Sequence, residues 1–319
     1  MNEILAQVLT MGTLAVILAK TAPILLAAIG GGFTQVGGIL NIGLDGMMLT
    51  GAFLGVAVGA VTHPLVGVIA ALGSAVLLAL VYALAHLVFK ADNVVVGIGI
   101  NLLAAGFTVL LLTVLYGNAG ATPGDVKSNL PPIDLGFVGQ IPILGALLNS
   151  QTALVWLALI FVPVYWFVLY RTRYGVHLRA VGEDEPAAVA AGIPVTRVKF
   201  IAVLVSGGLC GLAGAQLAMA SVGSFTAGMT SGRGFIAVAA IIFARGRPVP
   251  TLIACLVFGT ADAVADRLAL GGVNSSLALL TPYVITIVAL TVAGVRMRIA
   301  VRTRTRKGLQ QAAAWGVRR

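Results

Sequence analysis

The polar residues set within apolar sequence are where this chain could touch a solute. Asn41 and Asn101 occur in similar settings, Gly38-Ile-Leu-Asn-Ile-Gly43 and Gly97-Ile-Gly-Ile-Asn-Leu102, and Gln216 closes Gly211-Leu-Ala-Gly-Ala-Gln216. A side-chain amide donates and accepts at once, which suits a neutral hydroxylated or base-bearing solute. The same property lets Asn and Gln bridge neighbouring helices, and both readings stand for each amide taken singly. Charged residues come next. Asp262 and Asp266 lie one helical turn apart beside Arg267. Two carboxylates on one helix face repel unless a cation comes between them, and Arg267 is the obvious candidate. With Asp45, and with Lys20 able to snorkel to an interface, these groups could form the relay of a proton-coupled carrier. Anchoring of span ends is the alternative.

Bond-making chemistry finds little support. A phosphate-binding loop needs Gly-Lys-Ser/Thr, and of the five lysines only Lys20 and Lys127 precede Thr or Ser, without the glycines. His63, His86 and His177 are dispersed, with no metal-ligand spacing. No serine sits in a nucleophile elbow. Cys210 and Cys255 fall in apolar runs and read as packing residues. The expectation is a non-enzyme with no cofactor or metal of its own.

A mechanical feature is plainer. In Arg179-Ala-Val-Gly-Glu-Asp-Glu-Pro-Ala-Ala-Val-Ala-Ala-Gly-Ile-Pro194, Glu183 and Asp184, followed by Glu185, suit a helix start, where free N–H groups favour anions. Pro186 is tolerated in a first turn, Gly192 can take a left-handed cap, and Pro194 prevents continuation. A helix over 185–191 is predicted, about 10 Å long at ~1.5 Å per residue. It reads as a rigid peg able to receive force, with an ordinary structured loop as the plain alternative.

These groups must be held by a membrane protein. Hydrophobic residues make up 59% of the 319 and charged residues 9%, too few charges for a soluble chain of this length. The net charge of +10 is no sign of nucleic-acid binding, because eight of the twenty basic residues lie in the tail, 296–319. A basic cluster beside a final span reads as a cytoplasmic anchor. Apolar runs predict an all-α, polytopic helical bundle of about nine spans, near 5–29, 46–62, 64–89, 94–116, 152–170, 198–222, 233–244, 249–267 and 277–295. The membrane-spanning body is 1–295. Basic residues flank the 171–199 loop and fill the turns at Lys90 and at Arg245 and Arg247, whereas the 117–151 loop has only Lys127. The positive-inside rule then puts the N-terminus outside and the C-terminus in the cytoplasm, with 117–151 as the outer loop. Within it, 141–148 could form a short interfacial helix, and its surface could meet an extracytoplasmic binding protein.

Two glycine-rich stretches interrupt the apolar pattern, Gly30 to Gly46 after the first span and Gly223 to Gly234 after the sixth, the second carrying Ser224 and Phe225. Each has Gly-x-Phe-Thr followed by an apolar helix, which hints at inverted repeats. Non-helical backbone at membrane depth survives only where protein or a water-filled cavity satisfies it, so both breaks are candidates for lining a pathway or for re-entrant segments. Tight surface turns are the alternative.

The stretch Asn41-Ile-Gly-Leu-Asp-Gly-Met-Met-Leu-Thr-Gly-Ala-Phe53, the peg, and Thr281-Pro-Tyr-Val-Ile-Thr286 together resemble one family. It is the permease subunits of bacterial ABC importers for nucleosides and simple sugars, related to the branched-chain amino-acid permeases. The resemblance runs from about Pro23 to Leu290, with Asp45 standing where the family commonly has Glu. It implies a multi-pass protein of the cytoplasmic membrane, paired with a homologous second permease. It also implies ATPase domains that carry ATP with Mg, and an extracytoplasmic solute-binding protein. The peg becomes the coupling helix, matching through Arg179, Gly182, Glu183, Ala187, Ala188, Ala191 and Gly192. The expected cargo is a nucleoside or related sugar, with a ribose-like sugar or a branched-chain amino acid as alternatives. Pathway residues expected are Asn41, Asp45, Asn101, Gln216, Ser224 and Phe225. An ion-coupled carrier or channel working alone is the rival class, and a membrane-embedded enzyme a third.

Overall fold

The computed structural model describes residues 11–133 and 151–270, with side chains placed over 14–133 and 151–266. The predicted span 277–295, the 141–148 helix, the Thr281 motif and the basic tail lie outside the described residues. Chain contacts divide the molecule into one unit over 1–263 and a second from 264 onward. The helical bundle and both glycine-rich breaks belong to the first unit.

Ten helices are described: α1 (Met11–Val36), α2 (Leu44–Val61), α3 (Pro64–Ala83), α4 (Asn93–Tyr116), α5 (Ala153–Arg171), α6 (Arg173–Glu183), α7 (Glu185–Ala190), α8 (Val195–Ala215), α9 (Arg233–Ala244) and α10 (Pro248–Leu270). Wider π-type turns extend α3 over Leu84–Val88 and α8 over Gln216–Ala220. A two-residue antiparallel pair, β1 (Pro132–Ile133) with β2 (Gln151–Thr152), bridges into α5. Seven helices among the described residues are long and apolar enough to cross a membrane. At 12 residues α9 reaches about 18 Å, short of the ~30 Å hydrocarbon layer.

Small residues explain the packing. With no hydrophobic drive between helices in lipid, close backbone approach supplies the contact energy. α1, α2 and α8 form the buried centre. There Gly51, Gly55 and Gly67 let α2 and α3 meet along their backbones, while Gly211 and Gly214 let α8 press against both. α3, α4 and α5 surround this centre and turn large apolar side chains such as Ile69, Leu102 and Phe167 outward.

One expected break is shorter than predicted. Gly30, Gly31 and Gly32 are helical, inside α1, and only Gly37–Gly43 leaves the helix. These three glycines serve contact instead: a Cβ on Gly30 would lie 3.0 Å from the Ser206 carbonyl oxygen, on Gly31 2.5 Å from Ile241 Cδ1, and on Gly32 2.5 Å from the Tyr165 hydroxyl. A local reading cannot separate a glycine needed for a turn from one needed for a neighbour.

The two ends of the bundle differ in what the described residues place there. At one end α6 packs on the end of α1, and the basic residues Lys90, Arg179, Lys199, Arg245 and Arg247 gather. At the other end, residues 120–130 dock on the second break. Thr122 N–H donates to Phe225 O (2.9 Å), Ser128 N–H to Gly223 O (3.0 Å) and Leu130 N–H to Met219 O (3.1 Å).

Candidate functional site

The peg is built from local rules. Asp184 takes an extended conformation after α6, and its Oδ1 accepts from Ala187 N–H at 3.0 Å, capping α7. Pro186 fills the first turn. The six-residue α7 ends where Gly192 turns left-handed (φ +76°), with Ile193 N–H donating to Ala188 O at 3.0 Å. Glu183 is the last residue of α6 rather than a cap. Ala188 alone of the helix is buried; Glu185, Pro186, Ala187, Val189, Ala190 and then Ala191 and Gly192 face outward. Lys199 Nζ ties Glu185 Oε2 to the start of α8 at 2.6 Å.

The base of the peg is mated to the bundle. Any side chain at Gly182 would collide with the Val36 carbonyl oxygen, at the end of α1, and Gly182 also packs against Gly38 in the first break. Tyr174 Oη donates to Val198 O at 3.1 Å, joining α6 to α8. Burial pushes the Tyr174 phenol above its ordinary range, so this donor stays protonated. The Arg179 guanidinium lies 5.1 Å over the Tyr170 ring.

A second cluster holds the two breaks together. Asn41 Oδ1 accepts from Gly43 N–H (2.9 Å) and its Nδ2 donates to Ser206 Oγ (3.2 Å). Asn101 Oδ1 accepts from Gly46 N–H (2.7 Å) while its Nδ2 donates to Ile42 O (3.0 Å). Both amides thus satisfy the backbone that the first break leaves unpaired. Asp45 reaches the second break: Oδ1 accepts from Gly234 N–H (2.9 Å) and Oδ2 from Thr230 Oγ1 (3.0 Å). Gly234 lies in the first turn of α9, so a carboxylate from α2 caps a helix 189 residues away in sequence. Here too a Cβ on Gly234 would collide with the Asp45 backbone.

Arg233, beside this junction, is absent from the expected site residues. It bonds Asp262 Oδ2 through Nη2 (2.9 Å) and Nε (3.3 Å), and both side chains are largely buried. Among the described side chains the cation beside Asp262 is Arg233, from the end of the second break; the side chain of Arg267 lies outside them. An arginine inside a glycine-rich break that opens an apolar helix is the signal that could have found it.

The expected pathway residues fall into three places. Asn41, Asp45 and Asn101 meet at the junction. Gln216 is buried apart from it, its Oε1 accepting from Thr152 Oγ1 at 2.8 Å. Ser224 and Phe225 sit where residues 120–130 dock, and Phe225 packs edge-on against Phe53 with ring centroids 5.2 Å apart. The expected peg residues, by contrast, are contiguous on one knob.

Known proteins share this architecture's sequence. The family model for the branched-chain amino acid transport system permease component matches residues 13–294. The chain is 35% identical over 289 residues to the guanosine ABC transporter permease protein NupQ of Bacillus subtilis (strain 168), covering 86% of this chain and 89% of that one. It is 33% identical over 297 residues to the nucleoside ABC transporter permease protein NupC of Lactococcus lactis subsp. cremoris, covering 87% and 92%. The ribose import permease protein RbsC of Escherichia coli (strain K12) is more distant, at 28% over 279 residues, covering 81% and 82%. With the match running through the helical bundle, the peg and both breaks, the chain belongs to the family of branched-chain amino acid transport system permease components.

Proposed function

We propose that this protein is the membrane-spanning permease subunit of an ATP-driven importer, and that its cargo is a nucleoside. The observation that carries the reading is the mating of the peg to the bundle. α7 stands outward on a capped knob, while Gly182 beneath it bears directly on Val36 and Gly38. A push on the knob is delivered to the end of α1 and to the first break. The break continues into Asn41, Asp45 and Asn101, and through Asp45 into α9. Alternating access then consists of movement at this junction, with α9 and the second break acting as a re-entrant half-helix. ATP, with Mg, is hydrolysed in the partner.

The basic end becomes cytoplasmic by the positive-inside rule, with the N-terminus outside and the C-terminus in the cytoplasm. The face formed by residues 120–130 and the second break becomes the docking side for a solute-binding protein. A homologous second permease completes the membrane part. The nucleoside reading rests on the names of the two relatives at 35% and 33% identity, with a ribose-like sugar as the second cargo class.

The test is reconstitution of this chain with its ATPase, second permease and solute-binding protein in proteoliposomes. ATP-dependent uptake of labelled guanosine above that of ribose and leucine is expected. Gly192→Pro or Glu183→Lys should uncouple uptake from hydrolysis with the protein still in the membrane. Uptake by the isolated chain on an ion gradient, without ATP, would select the secondary-carrier reading instead.

A further inference from the structure

We infer that the groove between α6 and the α9–α10 turn is a second docking point for the ATPase, taking a carboxylate-bearing segment of that partner among Arg179, Arg245 and Arg247. This rests on the importer reading and extends it to a surface separate from the peg.

The groove encloses ≈ 380 Å³, room for one or two side chains, and its charged lining is three guanidinium groups against the single carboxylate of Glu183. Its walls are held in place. Arg179 lies 5.1 Å over the Tyr170 ring, and the Tyr165 hydroxyl donates to Gly246 O at 2.7 Å, fixing the turn against α5. Arg245 adopts left-handed backbone (φ +51°), a conformation that costs an L-residue energy and that glycine would take freely. The turn thus carries a charge at a position where conformation alone favours none. Arg245 and Arg247 are both exposed.

Charge and position choose the occupant. A planar guanidinium binds carboxylate in a two-pronged manner, and the exposed Arg247 offers one to a partner. α6 forms one wall and leads directly into α7, so a body seated on the peg also overhangs the groove. The turn is the far end of α9, whose near end is capped by Asp45. A partner held here grips the half-helix directly.

The experiment uses the complex of this chain with the ATPase and second permease in nanodiscs, carrying Arg247→Lys. A carbodiimide joins an adjacent carboxylate to the introduced amine without a spacer. Peptide mapping is expected to find that amine bonded to an Asp or Glu of the ATPase. Arg247→Glu, at an exposed position that leaves folding intact, should weaken ATPase binding about threefold to fivefold at low salt, with the difference shrinking at high salt. Cross-linking of Ala187→Cys to the ATPase serves as the assembly control. If the peg cross-links and the amine at 247 meets no ATPase carboxylate, the second docking point is wrong and the importer reading stands. If the peg itself fails to cross-link, the importer reading falls and this inference with it. Unchanged ATPase affinity in Arg247→Glu, together with binding of inorganic phosphate or a dependence on phosphatidylglycerol in the nanodisc, overturns the inference in favour of an anion site.

Discussion

Asp45 is the residue on which the two broken segments depend. It belongs to α2, yet both of its oxygens serve the second break, through Thr230 and Gly234. Replacing it with Ala strands the Gly234 N–H and removes a charged acceptor, which should cost about 2–3 kcal/mol. Asp45→Glu should recover less than full stability, because Gly234 packs so closely on the Asp45 backbone that a longer arm must be displaced. Thermal unfolding of the purified variants in detergent measures both. Arg233→Ala should be worse, at about 3–5 kcal/mol, since it leaves the Asp262 carboxylate buried and unbalanced, and Arg233→Met with Asp262→Leu should restore much of the loss. These contacts are invisible in the sequence for one reason. Residue 45 and residue 234 meet only after the whole bundle has closed, and nothing near either one announces the other.

Elements differ in how much of themselves they declare. The peg is legible because its determinants act within one turn: Asp184 caps, Pro186 starts, Gly192 stops. The predicted 185–191 helix and the observed Glu185–Ala190 differ by a single residue. The first break is only half legible, since Gly30, Gly31 and Gly32 respond to Ser206, Ile241 and Tyr165, all remote in sequence. The amides read in sequence as solute contacts or as braces, and the structure engages Asn41 and Asn101 with the break's own backbone. Gly182→Ala tests whether motion passes from α6 to α1. Its methyl group would collide with Val36 O, so α6 must lift, and uptake should fall at least about tenfold while ATPase binding through the exposed face of α7 persists. Uptake at the normal level would mean that α6 transmits nothing to α1.

At the scale of the molecule, a centre of α1, α2 and α8 sealed by small residues is surrounded by helices with apolar outer faces. The spans themselves are legible from composition: among the described residues, seven of the predicted spans appear as membrane-length helices, and α9 is the short one predicted at 233–244. Leu103 lies near the middle of α4 with its side chain outward. Leu103→Arg should therefore cost about 3 kcal/mol of insertion and lower the yield of membrane-embedded protein, read by a fluorescent fusion. The buried centre has one practical result for anyone wishing to watch this transporter move. Both native thiols, Cys210 and Cys255, are sealed inside with no exposed surface. The natural chain is therefore a silent background for maleimide dyes, and paired probes on the knob and on the opposite face can report distances without first engineering the cysteines away.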